Sequence, residues 1–326
     1  VGNTGTRLTD TQMKSWAAAY ALNGQSLTQT NESGLSWSYD PDINDGYPYL
    51  SPEGLRPANS WQEIGQGMLD GLIAADKLTN TSGTYHIKSA EQLAAFSALV
   101  NSGSTGINAL LEIDIDLAGE VYGGSREEPI PWIPIGTEEN FYRGTFDGNG
   151  KAVGHMKVEQ SGYAGMFGCA GGGAVIKTLG LDTTCSVKAL SSSTSTSAFV
   201  GAVKSVANAN PQIVIENCYN RASVTGGNEK TAAFVGSDEG VASHGDGTQR
   251  ITNCYTTGMI TAPSGVTPSA IAGTFTNGTN TTSGGIRYCY WDESTSSASG
   301  VTLKVTGSSG TSTLLSGKKA SAYMKS

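Results

Sequence analysis

A short stretch that recurs three times limits the folds open to this chain. Ile215-Glu216-Asn217-Cys218-Tyr219 returns as Ile251-Thr252-Asn253-Cys254-Tyr255 and again as Ile286-Arg287-Tyr288-Cys289-Tyr290. The second copy starts 36 residues after the first, and the third 35 after the second. Ile176-Lys177-Thr178-Leu179-Gly180-Leu181 is a divergent fourth copy. Each copy follows an apolar tetrad closed by glycine: Gly165-Met166-Phe167-Gly168, Ala198-Phe199-Val200-Gly201, Ala233-Phe234-Val235-Gly236 and Ala270-Ile271-Ala272-Gly273. A β-rich unit of this length with glycine corners predicts a stacked architecture, in which each repeat buries its apolar face only against its neighbours.

Composition agrees. Of 326 residues only 15% are charged and 37% hydrophobic, while 44 are glycine, so the surface must be largely neutral and polar. That balance suits an extracellular β-protein better than a cytosolic enzyme. A net charge of −8 without a basic stripe argues against a nucleic-acid partner. There is no apolar run of about 18 residues to span a membrane, and no leader sequence begins at Val1. None of the five cysteines forms a C-x-x-C pair, which leaves zinc and thioredoxin-like chemistry without support.

The first 80 residues read differently. Thr9-Asp10-Thr11-Gln12 fits a capping box and predicts one helix through Met13, Trp16, Ala17 and Tyr20, stopped at Asn23-Gly24. Ser60-Trp61-Gln62-Glu63 predicts a second helix, weakened by Gly65, Gly67 and Gly71, and Ser89-Ala90-Glu91-Gln92 opens a third through about Val100. Leu111 to Leu117 alternates apolar and acidic residues, as a single half-buried strand would. Thr4–Thr9 resembles Thr311–Ser316, so the chain is expected to span one period of a tandem array. The expected segments are 1–58 as the tail of a preceding unit, 59–83 as a linker or helical segment, 84–305 as the repeat body, and 306–326 as the start of the next tail.

In order along the chain, Tyr85-x-Ile87-x-Ser89-Ala90-Glu91-Gln92-Leu93, Asp114-Ile115-Asp116-Leu117, Trp132-x-Pro134-Ile135-Gly136, Phe146-Asp147-Gly148-Asn149-Gly150, the tetrads and the Asn-Cys-Tyr copies resemble the GLUG-motif repeats of bacterial surface proteins. The resemblance covers about 84–292, and Asn44–Leu50 resembles the family's closing segment. It implies a right-handed parallel β-helix, a solenoid, in large secreted or wall-anchored proteins, including adhesins and non-catalytic parts of secreted proteases. With it the fold class is all-β dominated, with a small helical N-terminal accessory segment that covers the solenoid end or packs beside it.

Strict alternation would put Asn217 and Tyr219 on one face with Ile215. Alignment of Leu179 with Cys218 argues otherwise, because leucine belongs inside. The phase must therefore flip at Asn217, a residue that tolerates left-handed backbone. Cys218, Cys254 and Cys289 then stack inward as free thiols, and Tyr219, Tyr255 and Tyr290 point outward with Trp291 beside them. These four are the candidate ligand-binding residues, an aromatic platform for a glycan or a protein; the alternative is that residues 1–80 or a loop cover them. Glu112, Asp114 and Asp116, read as one strand face, are the candidate metal ligands for a calcium ion, against the alternative of a solvated acidic face. No catalytic motif is visible, and no cofactor is required.

The expected function is a non-enzymatic module on the bacterial cell surface or secreted from it, an adhesin-type repeat or stalk. Its expected partners are host or microbial surface glycans or glycoproteins, a host immune protein such as immunoglobulin, and neighbouring copies in the array. A carbohydrate-active β-helix enzyme and a pure spacer are the alternative readings.

Overall fold

A computed structural model of the chain describes residues 7–206, 209, 211–239, 249–273 and 285–292, with the backbone of 317–319. It is a β-solenoid. One turn contributes five short strands, as in Ala174–Lys177, Gly180–Leu181, Ser186–Ala189, Ser195–Ser197 and Val200–Lys204. Each pairs in parallel with its counterpart one turn on, giving five stacked sheets of eight, seven, four, three and three strands in that order. Two antiparallel pairs lie near the N-terminus: Ser36–Ser38 with Tyr49–Ser51, and Thr79–Thr81 with Thr84–Ile87.

Apolar columns through the stack hold the turns together. Phe146, Ile176, Ile215, Ile251 and Ile286 stand in register on the first sheet, all buried. Val158, Val187, Val224 and Ile260 do the same on the third. The glycine closing each tetrad has a steric cause. A Cβ added at Gly201, Gly236 or Gly273 would meet the carbonyl oxygen of the glycine one turn earlier at 2.9, 2.6 and 2.5 Å. Only a residue without a side chain permits that approach from turn to turn at the start of the fifth-sheet strands.

Between the first and second sheets the chain bends through Thr178, Asn217, Asn253 and Tyr288, whose φ values are 50°, 55°, 55° and 54°. The left-handed residue reverses the in–out alternation, as the alignment of Leu179 with Cys218 requires. Leu179, Cys218, Cys254 and Cys289 are buried, and all five cysteines of the chain are free thiols. The three stacked thiols donate to main-chain oxygens, Cys218 to Glu216 at 3.2 Å, Cys254 to Thr252 at 3.2 Å and Cys289 to Arg287 at 3.3 Å.

The same corner overturns the expected single strand over 111–117. The chain instead forms Asn108–Leu111 in the first sheet and Ile115–Asp116 in the second. Ile113 sits at the bend, 47% exposed. Apolar–polar alternation is blind to a bend that costs one residue, because the pattern resumes in phase on the far side.

Four helices close the N-terminal end: α1 (Asp10–Met13), α2 (Trp16–Leu22), α3 (Trp61–Leu69) and α4 (Ala90–Asn101). The first two were expected as one helix. The Thr9–Gln12 capping box forms, but the chain leaves helical geometry at Lys14 and restarts at Ser15, which caps α2 through Ala18 N–H. Ser60 makes no side-chain cap on α3; Glu63 accepts from Asn59 N–H at 2.8 Å and pairs with Arg56 instead. α4 lies across the first turns, where Phe96 meets Phe146 and Tyr142 edge-on at 5.9 and 6.0 Å. A Cβ at Gly65 would collide with the Ala94 carbonyl of α4, and one at Gly67 would lie 2.5 Å from Ala17 of α2. Gly65 and Gly67, which weaken helix propensity, thus let α3 pack closely against α4 and α2. Residues 7–73 share one continuous core with the solenoid through Trp16, Trp61 and Tyr122. Of the expected tail at 306–326, only Gly317–Lys319 is described; it pairs in parallel with Tyr290–Asp292.

Candidate functional site

The outer face of the second sheet carries the tyrosines. Ala152, Gly180, Tyr219, Tyr255 and Tyr290 occupy one outward row, each on a successive turn. The Tyr219 and Tyr255 rings stack with centroids 5.6 Å apart and planes 13° from parallel. That separation exceeds the roughly 4.8 Å between neighbouring strands, so the rings overlap with an offset. The Tyr219 ring reaches back across Gly180, filling the space a side chain there would need. Both rings are half-buried.

Trp291 is placed differently from expectation. It pairs with Thr256, which follows Asn220, Leu181 and Val153 in the inward row. It is partly buried and packs against the core. Tyr290 points outward and its neighbour must therefore point in, so Trp291 does not extend the aromatic face. Its row carries a buried polar step instead, Asn220 Nδ2 donating to Thr256 Oγ1 at 3.1 Å.

Polar side chains flank the tyrosine row. On one side lie the corner residues, where exposed Asn253 donates to exposed Asn217 at 3.2 Å and Tyr288 is 47% exposed. On the other, Asp182 follows Gly180 by two residues and Arg221 follows Tyr219 by two, so both return to the outer face. Burial raises the Tyr219 hydroxyl above its ordinary value, and Tyr255, Asp114 and Asp182 push it the same way while Arg221 opposes them. The phenol therefore stays protonated, a donor beside carboxylates.

The three acidic candidates do not converge. Glu112 stands at the end of the first sheet, where His86 Nδ1 lies 2.6 Å away and Lys88 Nζ 3.3 Å. The His86 contact, helped by Lys88, holds its carboxyl below the usual range against the opposing effect of burial. Asp114 accepts from Ala152 N–H at 2.8 Å. Asp116 contacts His155 Nδ1 at 2.9 Å, Arg126 at 3.1 Å and Ala118 N–H at 3.0 Å. Among the described residues no group of three or more His, Cys, Asp or Glu side chains is arranged to hold a metal ion. The calcium reading required one strand face, and the bend at Ile113 separates Glu112 from the other two.

Sequence reasoning missed His155, Asp182 and Thr184. Thr184 Oγ1 accepts from His155 N–H at 2.7 Å, and its own N–H donates to Asp182 at 2.8 Å. All three lie shortly beyond a left-handed corner residue, Asn149 or Thr178, on consecutive turns, and that shared placement was the available signal. Among the described residues no helix is long and apolar enough to cross a membrane.

No protein-family model matches this chain, and no curated protein matches it. Among solved structures it is similar to a "putative immunoglobulin A1 protease from Bacteroides ovatus", with 18% identity and a TM-score of 0.46, over 82% of this chain and 91% of that one. A likeness at that level carries no activity over to this chain.

Proposed function

We propose that this chain is a non-catalytic, extracellular binding module of a bacterial surface protein, belonging with the GLUG-type repeats. Its second-sheet face meets a surface glycan or glycoprotein. The observation that carries the reading is the pair of offset, half-exposed tyrosine rings at 5.6 Å on a flat parallel sheet. Stacked rings give apolar area at little entropic cost, and the Asn217, Asn253 and Arg221 side chains beside them supply hydrogen-bonding groups that suit sugar hydroxyls. The carboxylates of the neighbouring turns are drawn to histidine, arginine or backbone partners, which favours a binding surface over an acid–base pair.

A glycan array and mucin-coated surfaces test this with the full chain. The expected result is binding that Tyr219→Ala with Tyr255→Ala weakens at least tenfold, about 1.4 kcal/mol. Undiminished binding by the folded variant would sink the platform. Release of sugar products from a polysaccharide would place the chain among enzymes, and a blank array would make it a spacer.

A further inference from the structure

A carboxylate in the helical cap stands where a cation belongs. The α1–α2 segment and α3 enclose a cleft of about 470 Å³, within the range of roughly 300–1,000 Å³ usual for small-molecule sites. Its open lining includes exposed Thr9, Thr11 and Gln66 and half-buried Gln12, Tyr39 and Asp70. Asp70 is the C-cap of α3, a helix with no basic residue in its last turn. A carboxylate there meets the negative end of the helix dipole, where a cation is the favoured neighbour. Gln12 Nε2 at 3.1 Å and Gln66 Nε2 at 3.2 Å both donate to Asp70 Oδ1 and fix the carboxylate in place. Asp70 Oδ2 accepts from none of the described residues, and Asp70 forms no ion pair with any of them, Lys77 of the adjoining groove included.

Charge narrows the ligand. Lys14 at the rim faces Asp45 and Asp10 at 3.2 and 3.4 Å, and Arg56 pairs with Glu63 at 2.8 Å. With Asp70, two cations stand against four carboxylates, so the cleft is net negative and its open requirement is for positive charge. Among the described residues no three His, Cys, Asp or Glu side chains are arranged to hold a metal ion, which leaves an organic cation. We infer that the cleft binds a small organic cation, an alkylammonium or alkylguanidinium group of the size of a lysine or arginine side chain. The charged head donates to Asp70 Oδ2, a charge-assisted bond stronger than a neutral one. The hydrocarbon stem packs on the apolar part of the lining, Tyr39 included. The group comes either from a free amine or from a basic residue of a partner protein. The site shares no residue with the tyrosine face and does not depend on it.

Ligand-observed NMR titration at low salt tests the inference with the full chain. The probes are Nα-acetyl-lysine methylamide, Nα-acetyl-arginine methylamide, putrescine and agmatine, with uncharged Nα-acetyl-norleucine methylamide as the neutral counterpart. The expected result is saturable binding of at least one cation, at least tenfold tighter than the neutral probe and weakened at least tenfold by Asp70→Asn, about 1.4 kcal/mol. Glu127→Gln, an equal loss of charge at an exposed carboxylate elsewhere, should bind as the native chain does, and so should Tyr219→Ala/Tyr255→Ala. Thr11→Trp, at an exposed lining position, should block the cleft, and it carries the test if Asp70→Asn does not fold. Preference for the acetylated amides would assign the group to a partner's basic side chain, and preference for putrescine or agmatine to a free amine. Binding of no cation, equal binding of the neutral probe, full binding by folded Asp70→Asn or Thr11→Trp, or equal weakening by Glu127→Gln or by the tyrosine variant would overturn the assignment.

Discussion

The helical cap and the repeating turns bury the same kinds of side chain by opposite means. In the turns, position matters more than identity: one inward column accepts Phe146 and then four isoleucines. The glycines that close the tetrads are the strict exception there, and each recurs on every turn. In the cap, identity is fixed at points that occur once. Gly65 lies on the Ala94 carbonyl, and Gly67 on Ala17, with no neighbouring repeat to share a misfit. A solenoid turn is held from both sides by near-copies of itself, whereas a cap has only one correct partner. The cap should therefore be the brittle region and the turns the tolerant one.

The largest effect is expected where the two regions meet. Phe146 touches Phe96 of α4 and Phe167 of its own turn, at 5.9 and 5.3 Å. Phe146→Ala should cost about 4 kcal/mol and lower the urea midpoint by every probe. Gly65→Val follows, at about 3 kcal/mol from overpacking. It should be seen first in tryptophan fluorescence, because Trp16, Trp61 and Trp132 are all buried at the cap end. Equal loss by fluorescence and by far-ultraviolet circular dichroism would break the comparison, since cap and turns would then be one cooperative unit.

Within the turns the effects should be smaller. Asn217→Ala at φ 55° should cost about 1 kcal/mol, and Asn217→Gly close to nothing, because the penalty is the Cβ in left-handed backbone. The thiols offer a reading without an energy scale. Burial pushes Cys169 and Cys185 up to about 12, so native protein at pH 8 should resist alkylation at both, and unfolding in urea should expose them. Rapid native labelling would show that the stack opens readily.

The smallest effect is in acid. Burial raises the Asp147 carboxyl, but the Thr178 hydroxyl, the Asn149 amide and Lys177 outweigh it and hold it below its ordinary 3.8. A carboxyl depressed on folding stabilises fully above about pH 4, and that contribution fades as pH falls through the folded value. The difference in urea midpoint between the native chain and Asp147→Asn should thus be level above about pH 4 and shrink below it.

Repetition makes much of the solenoid legible in the amino-acid sequence. The glycine-closed tetrads fall in register, and comparing Leu179 with Cys218 is enough to place a left-handed residue at Asn217 and turn the thiols inward. The candidate site is legible only in part. Tyr219 and Tyr255 face outward and stack, whereas Trp291 turns in and Glu112 is parted from Asp114 and Asp116 by a corner. The difference is one of how plainly the repeat shows in the residues: Tyr219 and Tyr255 sit in near-identical stretches, whereas the corner at Ile113 carries no asparagine to align with Asn217, and the break at Lys14 occurs once.

Periodicity, glycine spacing and one leucine–cysteine alignment were thus sufficient for the stack, its period and the facing of its columns, because those follow from local backbone geometry repeated turn after turn. Folding in three dimensions alone decided what meets across many residues. It set Asp116 against His155, the Tyr219 ring over Gly180, and α3 against both α2 and α4 through two glycines. Those contacts depend on close approach between segments whose sequences carry no mark of each other, and approach is settled only when the whole core packs.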